Sequence, residues 1–124
     1  MIVLDTHMWI WFNMNHPRLP ALIEEKASEC VISVASVWEV IMLVERGRIE
    51  TGFGPAETPR KWLERYPFRV LDLDYMSVEL SRTLEFEHED PADRFIAATA
   101  FRYGATLATV DARLHNRPWL KTVC

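Results

Sequence analysis

Short apolar runs that alternate with helical patterns constrain this chain more than any other feature. Ile2 to Leu4 runs into Asp5-Thr6, a reasonable cap for a following helix, and Val31 to Ser33 runs into a second helical pattern. Phe68 to Leu73 is followed by Asp74, and Thr106 to Val110 by Asp111; Leu120 to Val123 supplies a fifth candidate. A strand that is apolar at nearly every position must be covered on both faces, and parallel strands need a crossover, usually a helix. The pattern predicts an α/β domain with a central parallel sheet of four to five strands and helices on both faces. At 124 residues it is one domain, 1-124.

The helical segments carry recognisable limits. Leu22, Ile23 and Ala27 recur at helical spacing with Glu24, Glu25 and Lys26 between them, after Pro17 and Pro20. Val34, Val37, Trp38, Ile41 and Met42 recur likewise up to Gly47, a C-terminal stop. Thr51 to Pro59 reads as a loop before a short helix around Arg60 to Arg65, closed by Pro67. Asp74 predicts a helix through Leu84 that buries Val78 and Leu80 to Leu84, and the acidic loop Glu85 to Glu89 follows. Asp90-Pro91 starts an Ala-rich helix that ends at Gly104, and Ala97, Ala98 and Ala100 suit close packing on a sheet.

With 49% hydrophobic and 26% charged residues the composition is that of a soluble globular protein. No run of 18 apolar residues occurs, which excludes a spanning helix, and the apolar opening has no basic n-region and is broken by Asp5. Cys30 and Cys124 form no CxxC pair; a buried apolar residue and a frayed terminal thiol suit a reducing cytoplasm. The net charge of −4 argues against a protein that coats nucleic acid, but not against an enzyme whose carboxylates hold cations.

Four acids stand out by their surroundings. Asp5 is the only formal charge from Met1 to Phe12, and Glu39 the only one from Val31 to Val44. Asp93 lies in the first turn of the Ala-rich helix, and Asp111 directly follows the fourth strand. Ligands of open α/β sheets bind outside the carboxyl ends of the strands, where strand order reverses. Carboxylates within roughly 5 Å of one another repel by about 3 kcal/mol per pair at an effective dielectric of 20, so a cation must offset them. Lys and Arg are sparse beside these positions, Arg94 excepted, and there is no His pair, so the oxygen donors point to Mg²⁺ or Mn²⁺ rather than zinc. Taken singly each acid also has a structural reading: Asp5 as a cap, Glu39 in a capping box with Ser36, Asp93 in one with Asp90. Asp90 itself reads first as a cap.

The order LDTH, SVWEV, DPADRFIAATA and ATLATVDARL resembles the PIN-domain ribonucleases, and within them the VapC-type toxins of type II toxin–antitoxin pairs, over nearly the whole chain. HEDPADR is the most specific segment. The resemblance implies an endoribonuclease that cleaves RNA phosphodiesters with metal-activated water, Mg²⁺ or Mn²⁺ being held by Asp5, Glu39, Asp93 and Asp111. Asp5 and Asp93 are then expected as direct ligands, with Thr6, Thr109, Asp90 and Arg94 as supporting residues. It also implies a cognate antitoxin and a homodimer.

Other residues are less telling. His88 reads as a solvated loop histidine, and of Arg46, Arg48, Arg82, Arg94, Arg102, Arg113 and Arg117 some would line an RNA path. Trp9, Trp11 and Phe12 are expected in the core, the alternative being a patch for a partner. Two other classes compete with a nuclease. A receiver-like signalling module needs a phosphorylatable Asp after a central strand, which nothing between Ile32 and Glu39 supplies. A catalytically silent binding domain would be expected to have lost an acid, and all four are present.

Overall fold

The computed structural model describes residues 1–87 and 89–124, so His88 lies outside the described residues. Strands β1 (Ile2–Leu4), β2 (Cys30–Ser33), β3 (Arg69–Leu71), β4 (Thr106–Ala108) and β5 (Thr122–Val123) form one sheet in the order β3-β2-β1-β4-β5, parallel throughout. The chain first builds outwards from β1 to β2 and β3, then crosses back to place β4 on the other side of β1. The strand order therefore reverses between β1 and β4.

The strands are short because their neighbours are. The ladder ends where Leu4 pairs Ile32 and Ala108, and where Ser33 pairs Leu71, so Phe68, Leu73 and Val110 fall outside the strands expected for them. Side chains alternate across the sheet: Ile2, Leu4, Cys30, Ile32 and Ala108 enter one apolar cluster, and Val3, Val31, Leu71 and Leu107 the other. Trp9, Ile23 and Trp62 close the first cluster, contributed by α1 (Thr6–Asn13), α2 (Ala21–Glu25) and α4 (Glu57–Arg65). Ile96, Ala97 and Ala100 of α6 (Pro91–Arg102) and Leu114 of α7 (Ala112–His115) close the second. Helices thus cover both faces. Trp9 is wholly buried against Trp62, edge to face at 5.2 Å, whereas Trp11 and Phe12 are half-buried.

Two helices present faces that hydropathy alone assigns differently. In α5 (Tyr75–Thr83) the buried residues are Ser77 and Ser81, while Val78 is exposed together with Tyr75 and Met76. The small hydroxyls let α5 lie close against the Ala-rich α6, and a branched side chain there would hold the two apart. In α3 (Val34–Glu45) only Ala35, Ser36 and Val40 are buried, and Trp38 is 60% exposed. The helix begins one residue after Ser33, whose hydroxyl accepts the Ala35 N–H at 3.0 Å. Ser36 is therefore inside the helix rather than its cap, and the capping box with Glu39 does not form. Gly47 and Gly104 follow α3 and α6 at φ +67° and +63°, left-handed conformations that favour glycine after a helix. Cys30 is a buried free thiol and Cys124 an exposed one. Among the described residues no helix is long and apolar enough to cross a membrane.

Candidate metal centre

Asp5 leaves the end of β1 with its N–H bonded to the Ala108 carbonyl of β4 at 3.1 Å, which pins it to the reversal of strand order. Its carboxylate caps α1, accepting the Met8 N–H at 2.9 Å, and is only 8% exposed. Asp111 follows β4 and caps α7 by accepting the Arg113 N–H at 2.9 Å. Glu39 reaches the same place from the second turn of α3, and Asp93 from the first turn of α6. All four acids, with Asp90, line one cleft of about 390 Å³. Being a cap and facing the cleft are therefore not alternatives for Asp5 and Asp111.

Among the described residues that line the cleft, five acids, Asp5, Glu39, Asp90, Asp93 and Asp111, stand against two arginines, Arg18 and Arg113. Burial pushes the Asp93 carboxyl up to about 7, with Asp90, Glu39, Asp111 and Asp5 adding to the shift. Burial also raises the Glu39 carboxyl, reinforced by Asp90 and Asp5 and partly offset by the Thr6 hydroxyl and His7. Asp5 is raised by burial as well, against hydrogen bonds from Thr109 and Met8. Thr109 is fully buried and joins two of the acids: its hydroxyl serves the Asp5 carboxylate and accepts the Asp111 N–H at 3.0 Å. Thr6 donates to Ser36 Oγ at 3.1 Å beside Glu39.

Two cations lie here, Arg113, one of the scattered arginines named above, and Arg18, which the sequence did not single out. Arg113 grips Asp111 with two contacts, Nε to Oδ1 at 3.0 Å and Nη2 to Oδ2 at 2.9 Å, and Arg18 lines the cleft beside Trp11 and His7. The one signal for Arg113 was its position two residues after Asp111; Arg18 arrives on a loop remote in sequence. Arg94, the cation expected to support the acids, is buried elsewhere. It bonds Glu89 at 3.0 Å and lies over the Phe86 ring at 4.7 Å. Asp90 caps α6, accepting the N–H groups of Ala92 and Asp93 at 3.0 and 3.3 Å.

Among the described residues no three His, Cys, Asp or Glu side chains stand as a closed metal-ligand group. The donor set nevertheless fits a hard divalent cation: among the described residues Glu39 Oε1 is buried without a hydrogen-bond partner, and burial, reinforced by the neighbouring acids, raises the Asp93 carboxyl to about 7. A cluster of oxygen donors with an excess of acids over cations is what such an ion relieves.

A parallel sheet with a carboxylate cleft at its reversal point is the class of architecture to which the family comparison speaks. The PIN domain model matches residues 2–120, and the chain belongs to that family. It is 29% identical over 127 residues to Ribonuclease VapC22 of Mycobacterium tuberculosis, covering 94% of this chain and 95% of that protein. Its fold is similar to that of the solved VapBC2 of Rickettsia felis bound to a DNA fragment from the promoter, at TM-score 0.74 and 19% identity over 99% of this chain and 98% of that one. It is also similar to DNA-bound VapBC of Salmonella typhimurium, at TM-score 0.73 and 21% identity over 98% and 96% of the two chains.

Proposed function

We propose that this protein is a divalent-metal-dependent endoribonuclease and the toxin of a toxin–antitoxin pair. The observation that carries the reading is the convergence of Asp5, Glu39, Asp93 and Asp111, from four separate elements, in one acidic cleft. The 29% identity to a ribonuclease over most of both chains supports RNA as the substrate. Asp5 and Asp93 would hold Mg²⁺ or Mn²⁺ directly, with Asp111 and Glu39 completing the set. When bound, the ion would supply Lewis-acid neutralisation of the phosphate oxygens and would lower the pKa of water. The residues of this chain position that chemistry. Thr109 and the α1 N-terminus fix the Asp5 carboxylate, Asp90 holds the first turn of α6 and with it Asp93, and Arg113 orients Asp111 while offering its guanidinium to the cleft.

The fold-level neighbours are toxin–antitoxin complexes, which supports a cognate antitoxin as partner. A cytoplasmic location goes with that role. Exposed Val34 and Trp38 of α3, in an apolar cleft with Leu73, Pro91 and Phe95, support a homodimer through that face.

Purified protein should cleave RNA with Mg²⁺ or Mn²⁺ and stop when a chelator is added. Asp5→Asn and Asp93→Asn should each lower the rate by at least about 100-fold. Full activity in both variants would sink the mechanism. Induced expression of wild type against Asp5→Asn, followed by RNA end mapping, tests toxicity and names the target RNA.

A further inference from the structure

Beside the acidic cleft lies a second one of about 460 Å³ that shares His7 and Trp11 with it. Its floor is apolar, from Ile10, Met14, Leu43 and Ile49, and its polar lining is His7, His16 and Arg48. No carboxylate is among the described residues that line it. Trp11 forms the partition between the two. Its ring stacks on His16 with centroids 5.0 Å apart and planes at 17°, and the Arg18 guanidinium stands 5.1 Å from it.

We propose that this second cleft seats a nucleobase and its flanking phosphate from a single-stranded RNA substrate, next to the phosphodiester held in the acidic cleft. The proposal rests on the RNA reading above and names how the strand is held. The two compartments have opposite character: one is acidic and suits a cation, the other is apolar with Arg48 at its edge and suits an anion that carries a flat ring. A nucleotide chain spans both, since its phosphates need Arg18 and Arg48 and its bases need an apolar floor and an aromatic edge. Stacking on aromatic side chains beside a basic track is how single strands are bound with little regard to sequence. A protein segment would need only the apolar floor and would not account for the cations on both sides of Trp11.

The test is steady-state cleavage of a defined oligoribonucleotide by wild type, Trp11→Ala and Arg48→Ala, with thermal melting to confirm folding. Each substitution should raise KM about tenfold while changing kcat much less. Binding of the same oligonucleotide to an Asp5→Asn background should lose about 0.7 from its log–log salt slope when Arg48→Ala is added. Arg48 is exposed, so its variant stands even if Trp11→Ala does not fold. Unchanged KM and salt slope in Arg48→Ala, with RNA still cleaved by wild type, overturns the proposal and leaves the cleft to a protein segment. No RNA cleavage by wild type overturns the reading on which it rests.

Discussion

Asp93 is the residue through which the acidic cleft should report its charge. Its carboxyl titrates near 3.8 in an unfolded chain and near 7 in the folded one. Between those values the unfolded chain gives up its proton while the folded one keeps it, so metal-free protein loses stability as pH rises through that window. Asp5 and Glu39 are raised too and act with the same sign. Melting temperature in chelator should therefore fall from pH 4 to pH 7, Mg²⁺ should oppose the fall, and Asp93→Asn should flatten it. Thr109 has a different role. The His115 ring braces its backbone, Nε2 donating to the Thr109 carbonyl at 2.6 Å while Nδ1 accepts from the Thr122 hydroxyl at 2.9 Å. Thr109→Val keeps the shape but strands the Asp111 N–H, and urea unfolding should show a loss of about 1–3 kcal/mol. The acids themselves were legible in the sequence because a lone charge in an apolar run is costly without a purpose. Arg18 was not, and Arg113 stood out only as one of seven scattered arginines, since a surface arginine acquires its neighbours only from the fold. Arg94 misled for the same reason: nearness in sequence to Asp93 did not carry its side chain into the cleft.

At the scale of elements, the strand–helix alternation and the caps at Asp5, Asp74 and Asp90 could be read directly, because each depends on residues within one turn. What could not be read was which side of α5 and α3 faces inwards. Val78 and Trp38 carry the hydropathy of core residues, yet the inward positions are decided by how closely the neighbouring helix approaches. α5 lies directly against α6, and Ser77 and Ser81 are the residues it buries. Ser81→Leu should overpack this contact and cost about 1–3 kcal/mol by chemical denaturation. A matching change at the exposed Val78 should cost little.

For the molecule as a whole, the exposed apolar residues of α3 bear on association. Light scattering of purified protein should report a dimer, and Trp38→Glu should shift it to a monomer while leaving the secondary structure unchanged. The strand order has a consequence of another kind. Asp5 and Asp111 meet because β1 and β4 are neighbours, although nearly the entire chain runs between them. Local pairing of β1, β2 and β3 uses only the first part of the sequence, and contacts of such long separation are slow to form. During synthesis the early strands can therefore associate while the acidic cleft is still missing its last wall. Any nascent or truncated chain that stops before Thr106 lacks β4 and Asp111, so the proposed nuclease activity would appear only at the close of folding.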